Sequence, residues 1–274
     1  MVTKVPRVYT GPPPLPAASL RTRSRWWREV LLLVAVYLMY DGVRMLVAAG
    51  HGQAFADAHH VLGIEQALRI AHERTVNHAV SAWPVLGVLM SYAYATLHYL
   101  VTPIVLVWLW KRRPWQYARA RTTLVVATLL GLVGFSLFPT APPRMLPGFV
   151  DTLAKYQEWG WWSGNASAPK GLGGMTNEFA AMPSLHVGWA AWCGWQIARN
   201  TVRRWLQVVA VAYPIFMVAV VIGTANHYVV DAVAGLAVIV IGAGIAGRVE
   251  RLRDRTSSAA IPEYPPDAVT RSLT

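Results

Sequence analysis

Residues 227–247 read HYVVDAVAGLAVIVIGAGIAG. After its first residues this run is apolar throughout, and it is long enough to cross a bilayer, which takes roughly 20 residues of helix. His227 and Asp231 stand four apart at its mouth, so on a helix they share one face. An ionisable group in hydrocarbon is costly and by default marks a functional site. One stretch therefore predicts both a membrane helix and chemistry at one of its ends.

The same pattern recurs upstream. Ala181-Met182-Pro183-Ser184-Leu185-His186 opens another apolar run, at 184–199, and further runs fall at about 29–49, 84–110, 122–138 and 205–223. Six such segments predict an all-α polytopic membrane protein, a bundle of six transmembrane helices. The organisation that follows is a basic cytoplasmic tail at 1–28, a membrane domain at 29–247 and a second cytoplasmic tail at 248–274. The first 25 residues are rich in Pro, Arg and Ser and lack an apolar period, which reads as disorder. The first run exceeds a signal-peptide core of roughly 7–15 residues and reads as an uncleaved span. A chain that is 55% hydrophobic and 14% charged is too apolar for an ordinary soluble domain. The single cysteine, Cys193, excludes an internal disulfide and a cysteine metal cage, and its apolar setting reads as packing.

The net charge of +12 is a topology signal. Lys and Arg crowd the N-terminal tail, the loop after the second span (Lys111, Arg112, Arg113, Arg119, Arg121), the loop after the fourth (Arg199, Arg203, Arg204) and the C-terminal segment. The opposite loops hold only Arg69, Arg74, Arg144, Lys155 and Lys170. The positive-inside rule then puts both termini in the cytoplasm and the two motifs at the outer face of a plasma membrane. Nucleic acid is not an expected partner; anionic lipid heads are.

Between the spans, residues 63–72 have an amphipathic pattern that predicts a helix along the interface. Trp159, Trp161 and Trp162 suit the headgroup level. Asp41 and Arg44, three apart in the first span, read as a mutually neutralising pair. His51, His59, His60, His72 and His78 match no metal template and read as solvated loop histidines. His98, among Tyr92, Tyr94 and Tyr99, reads as hydrogen-bonded inside the bundle, with headgroup contact as the alternative.

A carboxylate one turn from an imidazole can fix its tautomer and leave the second nitrogen nucleophilic, which casts Asp231 and His227 in those roles. His186, from another helix, suits the general acid. Pro183-Ser184 reads as a helix start, whose free N–H groups and dipole attract anions, and Ser184 adds a hydroxyl. Arg144, in Pro139-Thr140-Ala141-Pro142-Pro143-Arg144, offers a fork matched to phosphate. Lys170, Tyr228, Asn226 and His98 complete the candidate substrate contacts. The set describes phosphoryl transfer through a phosphohistidine to water or an alcohol. No acidic cluster near the motifs suits magnesium, so the expected route needs no metal or other cofactor.

These motifs resemble the lipid phosphatase and phosphotransferase branch of the type 2 phosphatidic acid phosphatase superfamily. The subgroup they are most similar to is the inositol phosphorylceramide synthases and their actinobacterial relatives. The resemblance covers about residues 30–247. It implies a phosphate-binding arginine at Arg144, a second motif at Pro183, Ser184 and His186, and a nucleophile with its support at His227 and Asp231. It also implies a lipid-linked phosphate or phosphodiester as substrate and a polyol such as inositol as acceptor. Three positions depart from the broad pattern: Leu137 and Val221 replace a lysine and an arginine, and Leu185 replaces a glycine. Two cations fewer predict a phosphate of lower charge, a diester headgroup, with Lys170 or Lys155 as candidate replacements. Alternatives are a polyprenyl or phosphatidate phosphatase and, from another class, a proton-coupled transporter. A transporter would show internal repeats, and the sequence shows none.

Overall fold

A computed structural model describes residues 26–46, 51–162 and 178–259. Its helices are α1 (Trp26–Leu46), α2 (His51–Ala67), α3 (Glu73–Ala82), α4 (Pro84–Arg112), α5 (Pro114–Leu137), α6 (Thr152–Lys155), α7 (Leu185–Asn200), α8 (Arg204–Gly223) and α9 (Val229–Ala259). Single 3-10 turns lie at Pro143–Met145 and Gln157–Trp159. Among the described residues, α4, α5, α8 and α9 are long and apolar enough to cross a membrane.

Helix α7 has 16 residues and is the centre of the bundle, packed against α4, α5, α8 and α9. Its role explains its composition. In lipid, close van der Waals packing and interhelical hydrogen bonds hold helices together, and small residues let backbones approach. A Cβ on Gly235 of α9 would lie 2.1 Å from the Ser184 carbonyl oxygen, and one on Gly188 of α7 would lie 2.8 Å from the Gly235 carbonyl oxygen. Only glycine permits this contact, and it clamps the start of α7 to the first turns of α9. Deeper in the bundle, Trp192 Nε1 donates to the Ala120 carbonyl at 3.0 Å and Trp189 Nε1 to Thr128 Oγ1 at 3.1 Å, which ties α7 to α5. Cys193 is fully buried and its thiol donates to Thr102 Oγ1 of α4.

Several boundaries move. Helix α5 starts at Pro114, eight residues before the apolar run, because Pro114 suits a first helical position and Arg121 docks onto α1. That docking is a partly buried ion pair: Arg121 Nη1 reaches both Glu29 oxygens at 2.5 and 2.6 Å, and the Tyr117 hydroxyl donates to Glu29 at 2.9 Å. Helix α9 continues to Ala259, beyond the expected end at 247, and Glu250 pairs with Arg119 at 3.6 Å. The helix predicted at 63–72 stops at Ala67, the end of α2, and gives way to the turn that precedes α3, with Arg69 in the left-handed region at φ 60°. Glu65 in this stretch and Glu73 just after it are fully buried, while Ile64 and Leu68 are exposed. Trp159 and Trp161 are exposed as expected, but Trp162 is buried, its indole donating to the Leu153 carbonyl at 2.9 Å. The side chains of Asp41 and Arg44 lie outside the described residues.

Candidate active site

Three chain segments meet at the end of the bundle where α7 and α9 begin. The Pro-rich segment after α5 pairs with the segment before α7: Thr140 N donates to the Phe179 carbonyl at 2.9 Å and Ala181 N to the Thr140 carbonyl at 3.3 Å. The third segment is the turn from α8 to α9. Asn226 N and His227 N both donate to the Val221 carbonyl, and Ala225 adopts φ 57°, a conformation that L residues rarely hold. The Ala225 carbonyl accepts from Arg144 N at 2.8 Å, which locks the first segment to the third.

Arg144 is buried and its fork is pre-set. Nε donates to Asn226 Oδ1 and Nη1 to Asp151 Oδ2, each at 3.1 Å. Asp151 also caps α6, accepting from Ala154 N at 2.9 Å. Sequence reasoning missed Asp151, because nothing in its surroundings marks a single loop aspartate as an arginine's partner. It also missed Asn77, fully buried, which bonds Val150, Thr152 and the Gly223 carbonyl and so holds this loop against the end of α8.

His227 Nδ1 lies 2.8 Å from the Ala181 carbonyl and 3.5 Å from Asp231 Oδ2. The carbonyl is the closer acceptor, so Nδ1 carries the hydrogen and Nε2 is the free nitrogen. Nε2 is buried and has no hydrogen-bond partner among the described residues. Asp231, the support expected from the spacing, works chiefly on the backbone: Oδ2 accepts from Tyr228 N at 2.9 Å, and its main-chain carbonyl accepts from Ser184 N at 2.9 Å. His186 stands in the first turn of α7 with its ring centroid 5.6 Å from that of His227. Tyr94 stacks on it at 4.5 Å and His98 meets it edge-on at 4.3 Å.

Arg144, Asn226, His227, His186 and His98 line one cavity of about 280 Å³. Its polar end also holds Glu178, and its other walls are apolar: Leu33 and Val36 of α1, Leu106 of α4, Leu124, Val125 and Phe135 of α5. Along α5, from Phe135 to Leu124, the wall runs about 16 Å at 1.5 Å per residue.

Other candidates fall elsewhere. Ser184 is buried as the cap of α7, its oxygen accepting from Val187 N, and does not line the cavity. Tyr228 does not line the cavity either. It stands just before α9, and its hydroxyl donates to the Ala141 carbonyl at 3.0 Å. Lys155 is engaged at 2.6 Å by the Ser81 carbonyl and does not replace a missing phosphate ligand. Lys170 lies outside the described residues. Leu137 is exposed at the end of α5, and Val221 is fully buried.

A family model described as the PAP2 superfamily matches residues 59–245, more than half of the chain. The chain belongs to the PAP2 superfamily. No curated protein and no solved structure matches it. The matched region runs from α2 to the middle of α9 and contains Arg144, His186, His227 and Asp231. Membership points to phosphatase or phosphotransferase activity on lipid phosphates.

Proposed function

We propose that this protein transfers the phosphoryl group of a membrane lipid headgroup through a phosphohistidine on His227. The observation that carries this is the His227 ring: Nδ1 is held by the Ala181 carbonyl while Nε2 is free in a cavity shared with Arg144 and His186. Arg144, fixed by Asn226 and Asp151, binds the phosphate and keeps its geometry as charge develops. Nε2 forms a bond to phosphorus as the bond from phosphorus to the leaving oxygen breaks, and His186 gives that oxygen its proton. In the second half the acceptor oxygen attacks phosphorus, the bond to Nε2 breaks, and the acceptor's proton passes to His186.

The apolar walls fit a hydrocarbon tail lying beside α1, α4 and α5. Glu178 in the polar end disfavours a dianionic phosphate and accepts hydrogen bonds from hydroxyls. Together with the neutral Leu137 and Val221, this supports a phosphodiester bearing a polyol, with inositol transfer as the finer reading and polyprenyl or phosphatidate hydrolysis as the alternative. The bundle would be multi-pass in the plasma membrane with six spans, α1 and α7 included, its termini cytoplasmic and this site on the outer face.

The test is incubation of purified protein in liposomes with labelled lipid phosphodiester or labelled phosphatidic acid, with and without inositol. Wild type is expected to prefer the diester and to trap acid-labile label on the chain; His227→Ala is expected to do neither. Equal turnover by wild type and His227→Ala would remove His227 as nucleophile. Clear preference for phosphatidic acid would overturn the diester reading alone.

A further inference from the structure

The first turn of a helix leaves backbone N–H groups without intrahelical partners. In α9 two of those groups, on Val229 and Val230, lie two and three residues from His227, and two side chains from outside the helix take them. Glu65 Oε1, at the end of α2, accepts from Val230 N at 2.8 Å, and Glu73 Oε1, the first residue of α3, accepts from Val229 N at 3.2 Å. Both glutamates are fully buried. The turn between them, closed by Ile70 N donating to the Glu65 carbonyl at 2.9 Å, brings them together at one spot. We infer that Glu65 and Glu73 are a carboxyl pair that fixes the start of α9, and through it the His227 ring, so that they act as positioning residues for the transfer and set its alkaline limit. The inference rests on the reading of His227 as nucleophile.

Charge explains why a pair would have this effect. A helix N-terminus carries about half an elementary positive charge and favours a negative group beside it. The charged groups acting on Glu65 are acidic: Glu73 from α3 and Asp231 from α9, with the Tyr228 phenol near them. Burial first, then the Glu73 side chain and its charge, push the Glu65 carboxyl up to about 8, against the pull of the Val230 N–H. At neutral pH Glu65 therefore keeps its proton. Loss of that proton puts a buried charge beside the acidic side chains of Glu73 and Asp231, and drives the α2–α3 turn off the start of α9. The His227 ring, held by the Ala181 carbonyl at 2.8 Å with Asp231 Oδ2 at 3.5 Å, then loses its alignment with phosphorus.

The experiment uses the full chain in liposomes with labelled lipid phosphodiester, from pH 6 to 10. Wild-type kcat is expected to fall above about pH 8. Glu65→Gln keeps an acceptor oxygen for Val230 N but cannot ionise, and Glu73→Gln likewise leaves a single carboxyl; each is expected to carry activity to higher pH. Glu65→Ala is expected to lose kcat roughly 10- to 100-fold with KM little changed, since misplacement of a reacting group acts on the chemical step. Glu65→Gln should restore most of that loss. A wild type with flat activity to pH 9.5 overturns the inference without any variant. So does an unchanged alkaline limb in whichever glutamine variant folds, or unchanged kcat in Glu65→Ala. His227→Ala separates the two claims: if it is as active as wild type, the nucleophile assignment fails, and if it is inactive while the glutamine variants match wild type at every pH, only the positioning inference fails.

Discussion

Arg144 shows how one side chain's role depends on its neighbours. Its Nε and Nη1 are tied to Asn226 and Asp151, so the guanidinium reaches the cavity in one orientation. Arg144→Lys keeps the charge and loses the fork, because an ammonium cannot satisfy two fixed acceptors and a phosphate together. We expect kcat/KM to fall about 100-fold, the scale of losing one preorganised donor. Asn226→Ala, which frees one side of the fork, is expected to lower it about 10-fold, mainly through KM. Steady-state kinetics on one lipid substrate checks both, and a fall no greater than twofold in Arg144→Lys would deny Arg144 its phosphate. The residues of the site differ in how legible they were. His186, His227, Asp231 and Arg144 stand out because ionisable groups are conspicuous in apolar sequence. Asp151 and Asn77 lie in ordinary loops, and their meaning comes only from what they touch. Tyr228 and Ser184 were legible as neighbours of the site, yet the Tyr228 hydroxyl bonds the Ala141 carbonyl and Ser184 caps α7, and neither lines the cavity.

At the scale of elements, the contact between α7 and α9 decides whether the motifs meet. Gly235 faces the Ser184 carbonyl so closely that any side chain there would separate the helices. Gly235→Ala is expected to destabilise the protein by about 1–3 kcal/mol, the usual scale of overpacking, and to abolish transfer by moving His186 from His227. A thermal midpoint and an activity assay on the same preparation check this, and wild-type values in both would sink it. The turn between α2 and α3 makes a second expectation. Folded protein holds the Glu65 proton up to about 8, against about 4.5 in the unfolded chain. The folded state therefore binds more protons between these values, and stability falls as pH rises through that window. Thermal midpoints from pH 5 to 8.5 should show the decline in wild type and a weaker one in Glu65→Gln; parallel curves would deny Glu65 its shifted proton. The helix predicted at 63–72 ends at Ala67, and its one buried acidic residue, Glu65, bonds the start of α9. Amphipathic periodicity says that one face differs from the other, and cannot say whether glutamates face water or a buried helix end.

At the scale of the molecule, the cavity connects chemistry at one end with apolar walls along α1, α4 and α5. Val125 lies in that wall, away from the reacting groups. Val125→Trp should block a lipid tail while sparing the site, so turnover of a long-chain lipid is expected to drop at least 10-fold, as contacts remote from the reacting centre support kcat. Hydrolysis of a short water-soluble phosphodiester should persist. Equal loss of both would mean that the wall holds no tail.

The sequence by itself determined that the chain is a helical membrane protein, because apolar runs of span length have few other stable forms in lipid. It also determined which ionisable residues cluster at one end, because helical spacing and the order of spans place them there. The tertiary structure alone decided what each of them touches. Which nitrogen of His227 is free depends on the Ala181 carbonyl, 46 residues away in sequence. The orientation of Arg144 depends on Asn226, and the start of α9 depends on two glutamates from α2 and α3. Hydrogen bonds between distant segments leave no period or spacing in a single chain, so the fold had to bring the partners together before their roles could be read.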